Sequence, residues 1–363
     1  MSRNRSSYIL IGILFSTALF SYSCTDEELE DERMVVLRIT SPKKDAQYQI
    51  GQSIALSVDI KEDYPKAQLQ VFLNDSLIQE VKGVQKSMSF SFESSTWNLG
   101  FNDIKLILNG VEDKPITESK NVILFAKNAP NILLPEVVQT LNHKNDHYTQ
   151  GLEFNNGSLY EGTGQYGESI LAEINLTNGN PIRLLTLEKT FFGEGITILN
   201  DEIYQITWTN GTCFVYDLAT FKLKRQMSYS GEGWGLANDG KHIIMSDGSS
   251  KIVFRDPKTF EIIRAIYAFS NTQEYRALNE LEYVDGYIFA NVYQQDYIAK
   301  INAKSGEVVA LIDCEELKKI GRGNGDVLNG IAFNKKNGLF YLTGKNWDKI
   351  FAVQLVEKLL AQN

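Results

Sequence analysis

Three observations predict an all-β chain. Turn signals recur about every 45 residues along the last two-thirds of the sequence. Short alternating strands about ten residues apart fill the stretch before it. Helical periodicity is nearly absent. Together they predict a five-bladed β-propeller preceded by a small immunoglobulin-like β-sandwich. The composition agrees: the 363 residues are 43% hydrophobic and 22% charged, and 17 Tyr, 19 Phe and 27 Gly against 7 Pro favour strands and hairpins. A formal net charge of -9 supplies no basic excess to neutralise phosphates, which argues against nucleic acid as a partner. Three cysteines cannot build a disulfide scaffold.

Residues 1–23 read as a signal peptide. Arg3 and Arg5 precede an apolar core over residues 8–20, too short to span a bilayer comfortably as a helix. The core ends in Ser21-Tyr22-Ser23-Cys24, which resembles a bacterial lipobox, with Tyr22 a departure from its pattern. Cys24 is then the lipidation site and the membrane contact, and the expected location is the bacterial cell envelope, as an outer-membrane lipoprotein facing the periplasm or the surface. The other reading is an uncleaved membrane anchor. Residues 24–33 form an acidic tether: six of the seven residues 26–32 are Asp or Glu and cannot pack. They also resemble the export signal of surface lipoproteins.

Residues 34–126 carry about seven short strands, Ile54-Ala55-Leu56-Ser57-Val58-Asp59-Ile60 being the clearest alternation, and read as the sandwich. Trp97 is expected in its core, and no catalytic cluster is visible there. Residues 127–139, with Pro130 and Pro135, read as a linker.

Residues 140–357 hold the repeats. The turn pairs Asn156-Gly157, Asn200-Asp201, Asp239-Gly240, Asp285-Gly286 and Asn337-Gly338 each precede a short strand. A second Asx-initiated turn recurs at Asn175, Asp217, Asp256 and Asn302. About 45 residues with four strands make one propeller blade. Before each first turn lies an aligned column: Gln150, Glu194, Trp234, Asn279 and Asn329, flanked by glycines that would permit close packing at the axis. The inner strand of each blade lines the central channel, so these five side chains should converge at one mouth. Trp208, Tyr293 and Lys345 close the following strands nearby.

That set holds one carboxylate among amides and aromatics. Glu194 either bonds backbone at the axis or works as an acid. Desolvation in an aromatic pocket favours its neutral form, which suits proton shuttling. Asn and Gln bind amides without a charge cost. No Ser-His-Asp or Cys-His set exists. His143 and His147 are four apart, but on a segment without helical pattern, so a zinc site there is disfavoured and no metal or cofactor is expected. Gly162-Thr-Gly-Gln-Tyr-Gly does not open a helix and is not read as a phosphate loop. Cys213 and Cys314, on different blades, read as buried thiols rather than a pair.

The second domain resembles the glutamine cyclotransferase family of the plant and bacterial type. The matching segments, in family order, include His147-Tyr-Thr-Gln-Gly-Leu, Phe191-Phe-Gly-Glu-Gly-Ile-Thr, Tyr204-Gln-Ile-Thr-Trp, Tyr229-Ser-Gly-Glu-Gly-Trp-Gly-Leu, Leu278-Asn-Glu-Leu-Glu-Tyr-Val, Asp326-Val-Leu-Asn-Gly-Ile-Ala and Leu342-Thr-Gly-Lys-Asn-Trp. They run through the second domain and leave the first outside. The resemblance implies a metal-independent glutaminyl-peptide cyclotransferase that converts the N-terminal glutamine of peptides or proteins to pyroglutamate and releases ammonia. It places the acid/base role on Glu194 and the pocket on Gln150, Phe192, Trp208, Trp234, Asn279, Tyr293 and Lys345. Tyr293 stands where the family usually has Trp, and Lys144-Asn-Asp-His replaces the usual proline-containing turn. The alternative is a non-catalytic cell-envelope propeller that binds peptide or glycan, since a propeller fold serves both.

Overall fold

The computed structural model describes residues 36–358. The expected signal peptide, Cys24 and the whole of the tether lie outside them.

Eight strands come first: β1 (Leu37–Ser41), β2 (Ala46–Gln49), β3 (Ser53–Ile60), β4 (Tyr64–Leu73), β5 (Ser76–Val84), β6 (Ser87–Glu93), β7 (Gly100–Asn109) and β8 (Ile116–Phe125). They form a three-stranded sheet, β1-β3-β6, and a five-stranded sheet, β2-β8-β7-β4-β5. Alternation in β3 turns Ile54, Leu56, Val58 and Ile60 to one face, and β7 does the same with Ile104, Leu106 and Leu108. These meet Leu69, Val71, Val122 and Leu124 in one core. At about 1.5–3 kcal/mol for each large aliphatic side chain buried, this shared face holds the two sheets together. Trp97 packs against it, as its sequence context suggests.

The two-sheet unit rests on the rest of the molecule through aromatic contacts. Phe101 meets Tyr267 edge-on at 5.7 Å and Phe125 meets Phe269 at 5.4 Å. Gly100, at φ +84°, lies so close that a Cβ would come 2.9 Å from both Phe269 and Tyr267. Gly is needed there for conformation and for space.

The expected linker over residues 127–139 is largely a strand, β9 (Asn131–Asn142). It pairs antiparallel with the C-terminal strand along nearly its whole length and, through Asn131, Ile132 and Leu133, parallel with another. Its backbone needs partners, and two exposed sheet edges supply them.

The remaining strands come in groups of four: β10 (Thr149–Asn155), β11 (Ser158–Thr163), β12 (Ile170–Ile174) and β13 (Pro181–Thr186); then β14 (Gly193–Leu199), β15 (Glu202–Thr207), β16 (Thr212–Asp217) and β17 (Leu223–Ser228); then β18 (Leu236–Asn238), β19 (Ile243–Ser246), β20 (Lys251–Arg255) and β21 (Ile262–Tyr267). Each group is one antiparallel four-stranded sheet. The last sheet has eight strands. It joins β22 (Leu278–Val284), β23 (Tyr287–Val292), β24 (Tyr297–Asn302) and β25 (Val308–Asp313), through β9, to β28 (Lys349–Glu357), β27 (Leu339–Gly344) and β26 (Leu328–Asn334). The first strands pack in sequence, β10 on β14, β14 on β18, β18 on β22 and β22 on β26, and β26 returns to β10.

The turn chemistry follows the sequence closely. Asn156-Gly157, Asn200-Asp201 and Asp285-Gly286 have positive φ at both positions, the primed hairpin turn. In Asp239-Gly240 and Asn337-Gly338 only the glycine does. At all four second turns the Asx oxygen accepts a backbone N–H two residues on or three: Asn175 from Thr177, Asp217 from Thr220, Asp256 from Lys258 and Thr259, Asn302 from Lys304 and Ser305. The last interval between turn pairs is the longest because it contains the one α-helix among the described residues, α1 (Glu315–Gly321). Cys213 and Cys314 are free and buried, which raises both thiol pKa values.

Candidate active site

The inner column converges as the repeats imply. Gly151, Gly195 and Gly235 press their backbones against the next inner strand, where a Cβ would collide with Ile196, Leu236 and Asn279 respectively. This close approach brings Gln150 on β10, Glu194 on β14, Trp234 ahead of β18 and Asn279 on β22 to one cavity of about 230 Å³. A second column follows the second strand of each repeat. Trp208, Tyr293 and Lys345 stand one residue beyond β15, β23 and β27. The first repeat has Gly164 at this place, and a Cβ there would collide with the ring of Phe192, which fills the gap. All eight site residues expected from sequence therefore line one cavity. Tyr148 and Gln165 line it too and were not anticipated. Gln165 sits at φ +86° two residues past β11, a turn position that recurs with positive φ as Gly248 after β19, Gln294 after β23 and Asn346 after β27.

Glu194 is 5% exposed. Gln150 Nε2 donates to its Oε1 at 2.9 Å. Burial pushes the carboxyl well above the usual carboxylate range; Lys345 opposes this and Glu232 adds to it. Burial likewise lowers the Lys345 ammonium, with Glu194 and Asp326 opposing. The Lys345 Nζ lies 4.7 Å from the Tyr148 ring centroid and 5.1 Å from that of Tyr293. Burial, then Asp326, pushes the Tyr148 phenol up to about 12, so it remains a hydrogen-bond donor at neutral pH. The walls interlock edge to face: Phe192 with Trp208 at 5.7 Å and Trp234 with Tyr293 at 5.7 Å. Asn279 lines the cavity, and its Oδ1 is buried without a protein partner.

Asn329, the fifth member of the inner column, is not on the lining. It is fully buried and donates to Gln150. His143 and His147 lie outside the cavity as well. With Glu161 they form the one group among the described residues whose ligand atoms lie within 4.8 Å of one another, the spacing a metal ion would require. The three already bond one another: His143 Nε2 meets Glu161 Oε1 at 3.0 Å and His147 Nδ1 meets Oε2 at 2.7 Å, while Thr149 Oγ1 donates to Oε1 at 2.8 Å. The cluster ties the chain entering β10 to β11.

Fold and site together define a class: an all-β enzyme that keeps a single buried acid in an aromatic, amide-lined cavity. The family model for glutamine cyclotransferase matches residues 106–355. The glutaminyl-peptide cyclotransferase of Arabidopsis thaliana is 38% identical over 226 residues, 61% of this chain and 71% of that one. The crystal structure of Myxococcus xanthus glutaminyl cyclase matches with a TM-score of 0.60 at 30% identity, over 63% of this chain and 100% of that one. This chain belongs to the glutamine cyclotransferase family. The match begins inside β7, so it takes in β8 and β9, earlier than the second-domain limit read from the motifs.

Proposed function

We propose that this protein cyclises the N-terminal glutamine of peptides to pyroglutamate, with Glu194 as the proton shuttle. The observation that carries this reading is a carboxyl group held protonation-ready by burial, bonded on one oxygen by Gln150, inside a cavity walled by Phe192, Trp208, Trp234 and Tyr293. The substrate α-amine attacks its own γ-carboxamide carbon. A C–N bond forms, the bond to the amide nitrogen breaks, and ammonia leaves. Ring closure is intramolecular, so holding the side chain folded supplies much of the acceleration. Glu194 takes the amine proton and returns it to the departing nitrogen. Asn279, with Gln150 or Lys345, donates to the amide oxygen as charge develops on it. Tyr293, smaller than the usual Trp, keeps an aromatic wall and adds a hydroxyl.

The ring of inner strands is read as a five-bladed β-propeller whose last blade is completed by β9, and the two-sheet unit before it as an immunoglobulin-like sandwich. Residues 1–23 are read as a lipoprotein signal peptide, and Cys24 as the lipidated residue that anchors the enzyme to the outer membrane of a bacterial envelope.

Incubating the protein with a Gln-initiated peptide should give a mass loss of one ammonia. Glu194→Gln should fold normally and lose about 10²–10⁴ in kcat. A wild-type protein that binds such peptides without releasing ammonia would instead be the non-catalytic binding module, and near-wild-type turnover by Glu194→Gln would remove Glu194 from the mechanism.

A further inference from the structure

We propose that Asn329 is a positioning residue that fixes which end of the Gln150 carboxamide meets Glu194. The inference rests on the reading of Glu194 given above.

A glutamine carboxamide has nearly the same shape either way round, so packing alone does not decide whether its oxygen or its nitrogen faces a neighbour. Here a chain of partners decides it. The backbone oxygen of Thr149 can only accept. Asn329 Nδ2 donates to it at 2.9 Å and to Gln150 Oε1 at 3.2 Å. Turning Asn329 over would put its Oδ1 against two acceptors at once. With the Gln150 oxygen held by Asn329, the Gln150 nitrogen must face Glu194, where Nε2 donates to Oε1 at 2.9 Å. The polarity of the whole chain is thus set by a carbonyl that cannot rotate away. All of these groups are buried, Asn329 at 0% and Gln150 at 3% exposure, so water does not readily replace a lost donor.

The chain crosses the seam where the ring closes, since Asn329 is on β26 and Gln150 on β10. Its effect on Glu194 has a definite sign. An N–H aimed at the carboxylate favours the charged form; a carbonyl oxygen in its place favours the protonated form. The other titratable or charged groups acting on or sensing Glu194 are Lys345, Glu232 and the phenols of Tyr148 and Tyr229. None of them is altered by changing Asn329.

The test is an infrared titration of the Glu194 carboxyl, its band assigned as the one lost in Glu194→Gln, alongside the pH profile of kcat/KM. Asn329→Ala frees Gln150 to turn without adding charge, and the Glu194 midpoint should rise by about one pH unit, a tenfold change in proton affinity. Asn329→Asp repels the Gln150 oxygen and should raise it further. Asn329→Ser can donate to only one of the two acceptors and should fall between wild type and Asn329→Ala. A wild-type midpoint in folded Asn329→Ala, or in Asn329→Ser where that alone folds, overturns the proposal whatever the activity. A raised midpoint with an unmoved kinetic limb upholds the orienting role of Asn329 and removes Glu194 as the shuttle. A loss of melting temperature without a change in midpoint marks a merely structural residue and also overturns it.

Discussion

Trp208 and Trp234 donate their indole N–H groups to the same atom, Oε2 of Glu232, each at 2.8 Å. The two walls come from different sheets, one following β15 and one preceding β18, and a single exposed acid sets the angle between them. The same charge helps to hold Glu194 above the carboxylate range. The two roles separate by substitution. Glu232→Ala removes acceptor and charge together. It should raise KM for a Gln-initiated peptide about tenfold, because both indoles lose their anchor. Glu232→Gln keeps an oxygen for the indoles and removes the charge. KM should stay near wild type while the acidic limb of the pH profile moves to lower pH. An unmoved KM in Glu232→Ala would show that packing alone holds the walls.

Lys345 acts on Glu194 in the opposite direction. Its ammonium favours the carboxylate that burial disfavours. Lys345→Met keeps the stem and removes the charge. The acidic limb should then move to higher pH, and kcat should fall by about 10² through the lost donor to the amide oxygen. A pH profile that does not move would place Lys345 outside the electrostatics of the acid.

The column Gln150, Glu194, Trp234, Asn279 was legible because a closed ring converts a sequence period into spatial proximity. Each residue precedes a turn pair by a similar interval, and turn chemistry is local. What was not legible lacked a copy elsewhere or a face. β9 is exposed along most of its length and is interrupted by Pro135, so it shows no inward alternation despite its Ile, Val and Thr; its partners make it a strand. Gln165 holds a turn position shared with Gly248, Gln294 and Asn346, but of the four it alone lines the cavity, a contact no other repeat copies. Glu161 is one residue of an ordinary strand until His143 and His147 are folded onto it. Asn329 stood in the column, but its partner, Gln150, lies across the seam at the other end of the domain.

The axial glycines set the diameter of the ring. A Cβ on Gly235 would collide with the backbone oxygen of Asn279, a neighbour that cannot turn aside. Gly235→Ala should therefore force β18 and β22 apart, displace Asn279 from the cavity and cost on the order of 1–3 kcal/mol by overpacking. Circular dichroism melting measures the cost. Gly240→Ala is the contrasting substitution: nothing lies near its Cβ, and its penalty is confined to the strain of φ +84°. A larger loss in Gly240→Ala than in Gly235→Ala would mean that backbone strain, not the axis, limits stability.

The buried cluster of Glu161, His143 and His147 gives the fold a pH window. Burial works against the Glu161 charge, but the two histidines outweigh it and hold its pKa below the carboxylate range. That stability is present above the ordinary carboxyl pKa, about 4.3, and is lost as pH falls through the depressed value. Burial also works against charge on His147, but Glu161 and Asp146 outweigh it and hold its pKa above the imidazole range. That stability is present below about pH 6.5 and is lost as pH rises through the elevated value. The cluster is at full strength between those limits. Burial raises Glu153, Glu280 and Glu282 as well, so deprotonating them adds to the decline at higher pH. The wild type alone therefore cannot isolate the cluster, whereas the difference from Glu161→Gln can. That substitution leaves buried histidines without their counter-charge and should cost about 3–5 kcal/mol near pH 5.5. The difference in unfolding free energy should shrink at pH 3 and again at pH 8. A difference that stays constant from pH 3 to pH 8 would mean that Glu161 contributes shape and hydrogen bonds rather than charge.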